Sequence, residues 1–203
     1  FGHENIIKYC ERPFATAAEM DEAMVERWNK VVKPSDHVYH LGDVAMKWQH
    51  MDAVMPRLNG KKRLIRGNHD IFKDREYNEA GFESLYGVRV FVDKFILSHI
   101  PLHPDCITGR FRANVHGHLH ANRVMRDVVK TVQSDWSQFD ANYQDRVAVT
   151  KELDPRYLSV CVEQTNFAPL SFDEVEARIQ AQWEQYGYQP AAGDGWGNGS
   201  SPS

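Results

Sequence analysis

Four short strand-like runs in this chain, one of them basic, each end on a polar loop. His37-Val38-Tyr39-His40-Leu41 leads into Gly42-Asp43, and Lys61-Lys62-Arg63-Leu64-Ile65-Arg66 leads into Gly67-Asn68-His69-Asp70. Phe95-Ile96-Leu97-Ser98 ends on His99, and Ala113-Asn114-Val115-His116 runs into Gly117-His118-Leu119-His120. Short runs rich in β-branched and aromatic residues, bounded by turn formers, read as strands. A fold with these strands delivers polar, metal-competent side chains to one loop after another.

Around them lie two clear helices. Thr16-Ala17-Ala18-Glu19 has the form of a capping box, and Met20, Met24, Trp28, Val31 and Val32 repeat at helical spacing, which predicts a helix over 17–32 with Met20, Met24 and Trp28 in the core. Ser171 with Glu174 three residues on opens another, with Val175, Ile179 and Trp183 on one face. A further helix is expected over 47–58, weakened in its last turn by Pro56. Residues 88–93 and 95–99 read as adjacent strands with a turn at Asp93-Lys94, and 157–162 as a late apolar strand. The 34 residues from 121 to 154 are too long for a bare loop, so local structure is expected there. From 187 to 203 the sequence turns to Gly, Pro, Ala and Ser and reads as a flexible tail.

A chain of 203 residues is long enough for one domain with a sizeable core, placed here over 1–186. At 42% apolar and 26% charged residues, collagen-like, coiled-coil and wholly disordered chains are excluded. A net charge of −4 offers no overall basic surface for nucleic acid, although a local patch stays open. No apolar stretch is long enough for a membrane helix and no signal core opens the chain, so it reads as cytoplasmic with no membrane partner. The three cysteines, Cys10, Cys106 and Cys161, form no CxxC pair, which argues for reduced, mostly buried thiols rather than disulfides or a thiolate zinc site.

Histidine is the unusual component: five of the ten (His99, His103, His116, His118, His120) fall within 22 residues. Asp43, Asn68, His99, His118 and His120, each placed just after a strand, offer carboxylate, amide and imidazole donors. That set suits Mn, Fe, Zn or Ni better than Ca or Cu(I). His118 and His120 are two residues apart, so on a loop they can turn towards different ions, which suits two metals better than one. His3, His40, His103 and His116 are read as packing, outer-layer or substrate-rim residues, and His37 and His50 as surface residues.

Gly42-Asp43-Val44, Gly67-Asn68-His69-Asp70, Ser98-His99 and Gly117-His118-Leu119-His120 together resemble, in order, the motifs of the calcineurin-like metallophosphoesterases. The flanking FGHENIIKYCERPF, YHLGDVA and LNGKK-LIRGNHD resemble small bacterial and bacteriophage members. The resemblance implies an α/β fold, a sandwich of two mixed β-sheets flanked by α-helices, working in a bacterial or phage-infected host cell. It implies two divalent metal ions, Mn²⁺ first, with Asp43 bridging both, Asn68, His99 and His118 completing one ion, and His120 binding the other.

The family's Asp-any-His motif would end immediately before Phe1, so the sequence is expected to lack two ligands of the second ion. The implied reaction is hydrolysis of a phosphate ester by a hydroxide held between the ions. His69 is placed to protonate the leaving alkoxide, with Asp70 orienting it, and Arg66 or Arg112 to hold the phosphate.

A phosphodiester is favoured over a phosphomonoester, and a nucleotide or nucleic acid is an open substrate class. Residues 121–154 would be a lid, a substrate-selecting wall or the contact of a homo-oligomer, with Trp136, Phe139 and Tyr143 available to stack on a base. The competing reading is a binding or scaffold protein whose metal site is incomplete. A single-metal oxygenase is disfavoured because it leaves Asn68-His69-Asp70 and His99 unexplained.

Overall fold

The computed structural model describes residues 1–91, 93–108, 111–132 and 146–190. It opens with a short helix not expected from the sequence, α1 (Glu4–Tyr9), whose first turn is capped by His3 Nδ1 accepting from the Ile6 amide. Thr16 caps α2 (Ala17–Val31) as predicted, accepting from the Glu19 amide and satisfying a donor that the helix itself leaves open. Strand β1 (His37–His40) follows, then α3 (Trp48–Val54). Pro56 ends α3 early, and Met55–Arg57 finish as a 3₁₀ turn.

Strand β2 (Lys61–Ile65) is followed by α4 (Asp74–Glu79) and β3 (Phe82–Tyr86), two elements that the sequence pattern left unassigned. β4 (Val88–Val90), β5 (Phe95–Ser98) and β6 (Ala113–His116) come next. Within 121–154 the described residues include two long strands, β7 (Met125–Val132) and β8 (Arg146–Leu153). The late strand β9 is shorter than expected (Tyr157–Ser159), because the chain turns into a 3₁₀ turn at Val162–Gln164. α5 (Phe172–Gln185) carries the predicted reciprocal cap between Ser171 and Glu174.

The fold is mixed α/β, with three sheets among the described residues. β1-β2-β3 are all parallel, and β5-β6-β9 are parallel with β4 added antiparallel at the edge. β7 and β8 form an antiparallel ribbon of their own. The chain divides into two compact units, one of residues Phe1–Asn122 with the chain from Pro155 onward, and one of Arg123–Asp154. Trp136, Phe139 and Tyr143 lie outside the described residues, as do 191–203 of the expected tail.

Helices pack on both larger sheets, as crossover connections between parallel strands tend to place them. Val25 and Trp28 of α2, Met51 and Val54 of α3 and Tyr77 of α4 pack with Leu64 and Phe82 into one core. A second core joins Ile65 of β2 to Phe95, Leu97, Val115 and Leu158 of the four-stranded sheet and to Val175 and Ile179 of α5. Met20 and Met24 are buried in a third with Ile6 and Phe167. Full burial of one such side chain contributes roughly 1.5–3 kcal/mol.

Two readings of single residues need correction. Cys106 is exposed, and Cys10 and Cys161 are half-buried, so the thiols are free but not mostly buried. His50 is half-buried rather than a surface residue, with its ring against Gly2. Among the described residues no helix is long and apolar enough to cross a membrane.

Candidate metal centre

Parallel strands all point their C-terminal ends the same way, and ligand sites gather beyond those ends. Asp43 follows β1, Asn68 follows β2, His99 follows β5, and His118 and His120 follow β6. Four of the five meet at one atom. His99 Nε2 lies 3.0 Å from Asn68 Oδ1, 3.2 Å from Asp43 Oδ2 and 3.2 Å from His118 Nδ1.

His99 Nδ1 is 2.7 Å from the Leu41 carbonyl oxygen, which can only accept, so Nδ1 carries the ring proton. In the neutral ring Nε2 then offers a lone pair to a carboxylate oxygen, an amide oxygen and a second imidazole nitrogen. A group of acceptors turned on one another fits a cation between them. Without one, the conflict is relieved by protonation. Burial lowers the His99 pKa, but the Asp43 carboxylate and the Leu41 carbonyl outweigh it, and the net shift is upward. Burial likewise raises that of Asp43, yet hydrogen bonds from His99 and the His69 amide bring it below the usual carboxylate value.

The backbone is shaped for this meeting. Asp43, His118 and His120 hold φ of 54°, 67° and 52°, a left-handed conformation that costs a non-glycine residue of order 1–3 kcal/mol. Gly67 is needed for close approach: a Cβ there would sit 2.2 Å from Asp43 Oδ1 and 2.6 Å from its amide nitrogen. Gly42, at φ +88°, lets the Asp43 loop pass His99 Nδ1, which a Cβ would meet at 2.4 Å.

Asp70 does not orient His69. Its buried carboxylate accepts from the amides of Asp43 (2.7 Å), Val44 (3.0 Å) and Gly67 (2.8 Å) and from the Tyr77 hydroxyl (3.3 Å), tying two ligand loops together. His69 is exposed beside Asn68, with its amide on Asp43 Oδ1 at 2.9 Å. Arg66 is not available as a phosphate clamp: its guanidinium bonds the Phe72 carbonyl and Asp74 and stacks on Tyr77. Arg112 lines a separate small cavity with Thr108, Phe111 and Arg156.

His120 lies with other partners. Its Nδ1 is 3.2 Å from Glu163 Oε1, and with Cys10 they form a group whose ligand atoms lie within 4.8 Å of one another. Arg12 reaches the same oxygen through Nη2 at 2.6 Å. Burial opposes the charge on Glu163, but His120, Arg12 and its own backbone amide bring its pKa down to about 2. Sequence reading missed Glu163, Arg12 and Cys10 here. Glu163 sits just after β9, as the other ligands sit after their strands, and that position was the signal available.

His40 lines the cavity beside the centre, and His116 is packed in the interior. Burial holds His40 down to about 4, and buried His116 turns Nδ1 to the Gly117 carbonyl. His103 is exposed and caps the 3₁₀ turn Pro104–Cys106. A cavity of about 1000 Å³ adjoins the centre, with Asp43, His99, His118 and His120 in its wall and Trp28 and Phe95 on its apolar side.

No protein-family model matches the chain. An uncharacterized protein of Methanocaldococcus jannaschii is 39% identical over 132 residues, which are 61% of this chain and 66% of that protein. The chain therefore matches just under two thirds of that relative's length. The crystal structure of a protein of unknown function from Aquifex aeolicus is similar with a TM-score of 0.55 at 24% identity, covering 87% of this chain and 93% of the other. The likeness extends to the fold.

Proposed function

We propose that the chain is a metal-dependent phosphoesterase of the calcineurin-like kind, with a two-sheet sandwich as its frame. What supports this reading most is the meeting of Asp43, Asn68 and His118 at His99 Nε2. Asp43, Asn68, His99 and His118 would hold one divalent ion, Mn²⁺ first, and Asp43 with His120 would contribute to a second. Such ions lower the pKa of a bound water towards neutrality and neutralise phosphoryl oxygens.

The chain's own groups supply the rest. Exposed His69 is placed to give a proton to the leaving alkoxide, and its amide fixes Asp43 Oδ1. With Arg66 drawn to Asp74 and Arg112 at another cavity, neither arginine is at hand for the extra charge of a monoester. That favours a phosphodiester, including a nucleotide diester. A second reading, a binding protein that holds one ion without turnover, is favoured by one observation: His120 is engaged by Glu163 instead of the Asp43 cluster.

The test is hydrolysis of a bis-aryl phosphodiester and its monoester with Mn²⁺, in the unaltered chain and in Asp43→Asn and His69→Ala. Asp43→Asn is expected to abolish turnover. His69→Ala should keep metal and lose rate mainly on poor leaving groups. Normal turnover by Asp43→Asn would falsify the assignment, and metal binding without turnover in the unaltered chain selects the second reading.

A further inference from the structure

The turn Val162–Gln164 holds His120 at both its backbone and its ring. Gln164 Nε2 donates to the carbonyl oxygens of His120 (3.3 Å) and Ala121 (3.0 Å), while Glu163 Oε1 meets ring atom Nδ1 at 3.2 Å. An ionised carboxylate only accepts, so the Nδ1 that it meets carries the proton. Nε2 is left with the lone pair. Glu163 is itself held: Arg12 donates to the same oxygen through Nε (3.0 Å) and Nη2 (2.6 Å), and both side chains are only 8% exposed.

We propose that Glu163 is a positioning residue for His120, fixing the Nδ1–H tautomer so that Nε2 is presented to a divalent cation, with Arg12 holding Oε1 in place. The inference rests on the reading of His120 as a metal ligand. Carboxylate partners of ligating imidazoles set both the ring's orientation and its basicity, and losing one costs about 10–100-fold in metal affinity. Arg12 occupies Oε1 alone, so direct ligation by Glu163 would have to come from Oε2, which is buried with no partner among the described residues, and the titration below separates the two roles.

Two measurements test the proposal. Long-range ¹H–¹⁵N NMR of the metal-free chain should show His120 protonated at Nδ1; protonation at Nε2 overturns the proposal, and this needs no variant to fold. Calorimetric titration with Mn²⁺ should show Glu163→Gln binding about 10–100-fold more weakly at unchanged stoichiometry, with no further loss when Glu163→Gln is added to His120→Ala. Loss of one Mn²⁺ equivalent in both Glu163→Gln and Cys10→Ser makes these two residues ligands and overturns it. So does unchanged affinity with a lowered melting temperature, which marks a brace for folding alone. If both results hold but no phosphoester is cleaved, the phosphoesterase reading fails and the positioning role stands.

Discussion

The Asp43 cluster and the His120 corner solve opposite electrostatic problems. Around His99 Nε2, three acceptors converge and no described arginine or lysine bonds them. Around Glu163 Oε1, the negative charge is already met by Arg12 inside the protein. The first arrangement leaves its acceptors facing one another, whereas at the second Oε1 is met within the chain and only the buried Oε2 is left without a partner among the described residues. Stability at the first should therefore follow added metal, and at the second it should follow pH.

The sharpest way to break this comparison is Asp43→Asn. It should cost more than the ~10–100-fold expected for an outer partner such as Glu163, in both Mn²⁺ affinity and turnover. It should also abolish the rise in melting temperature that Mn²⁺ is expected to give the unaltered chain. Arg12→Ala should act on the other side, leaving Glu163 as a buried charge with its main partner gone. A loss of roughly 3–5 kcal/mol in urea unfolding is expected at neutral pH, and a loss within 0.5 kcal/mol would show the corner to be solvated.

Acid probes the same corner with no substitution. The Glu163 pKa is depressed from 4.5 to about 2 in the folded chain, so its stabilisation is full above the unfolded value and is lost as pH falls from about 4.5 to 2. The contribution is about 3 kcal/mol, read as the difference between acid titrations of stability for the unaltered chain and Glu163→Gln. Least in size, Gly67→Ala should cost about 1–3 kcal/mol and weaken Mn²⁺, because its Cβ meets Asp43. Gly87→Ala, whose Cβ meets nothing within 4 Å, is the matched control.

Local signals in the chain were strong where one residue sets the geometry. Thr16 and Ser171 announced their helices, Pro56 announced the end of α3, and the strand ends before Asp43, Asn68, His99 and His118 announced the cluster. Long-range pairing left no such trace. Arg12 and Glu163 are 151 residues apart, and nothing near either one marks the other. Asp70 misled for a related reason: adjacency to His69 suggested a partner, but its carboxylate turned to amides 26 and 27 residues back. Arg66 was claimed by Phe72 and Asp74 in its own loop, a local competition that a reading aimed at phosphate passed over.

Asp43, His118 and His120 all sit in a backbone conformation that glycine adopts at little cost. Replacing any of them with glycine would ease the main chain while deleting a donor. Selection of this protein for heat resistance alone would thus drift towards a sturdier chain stripped of these donors, because here ruggedness and the proposed chemistry are drawn from the same three residues.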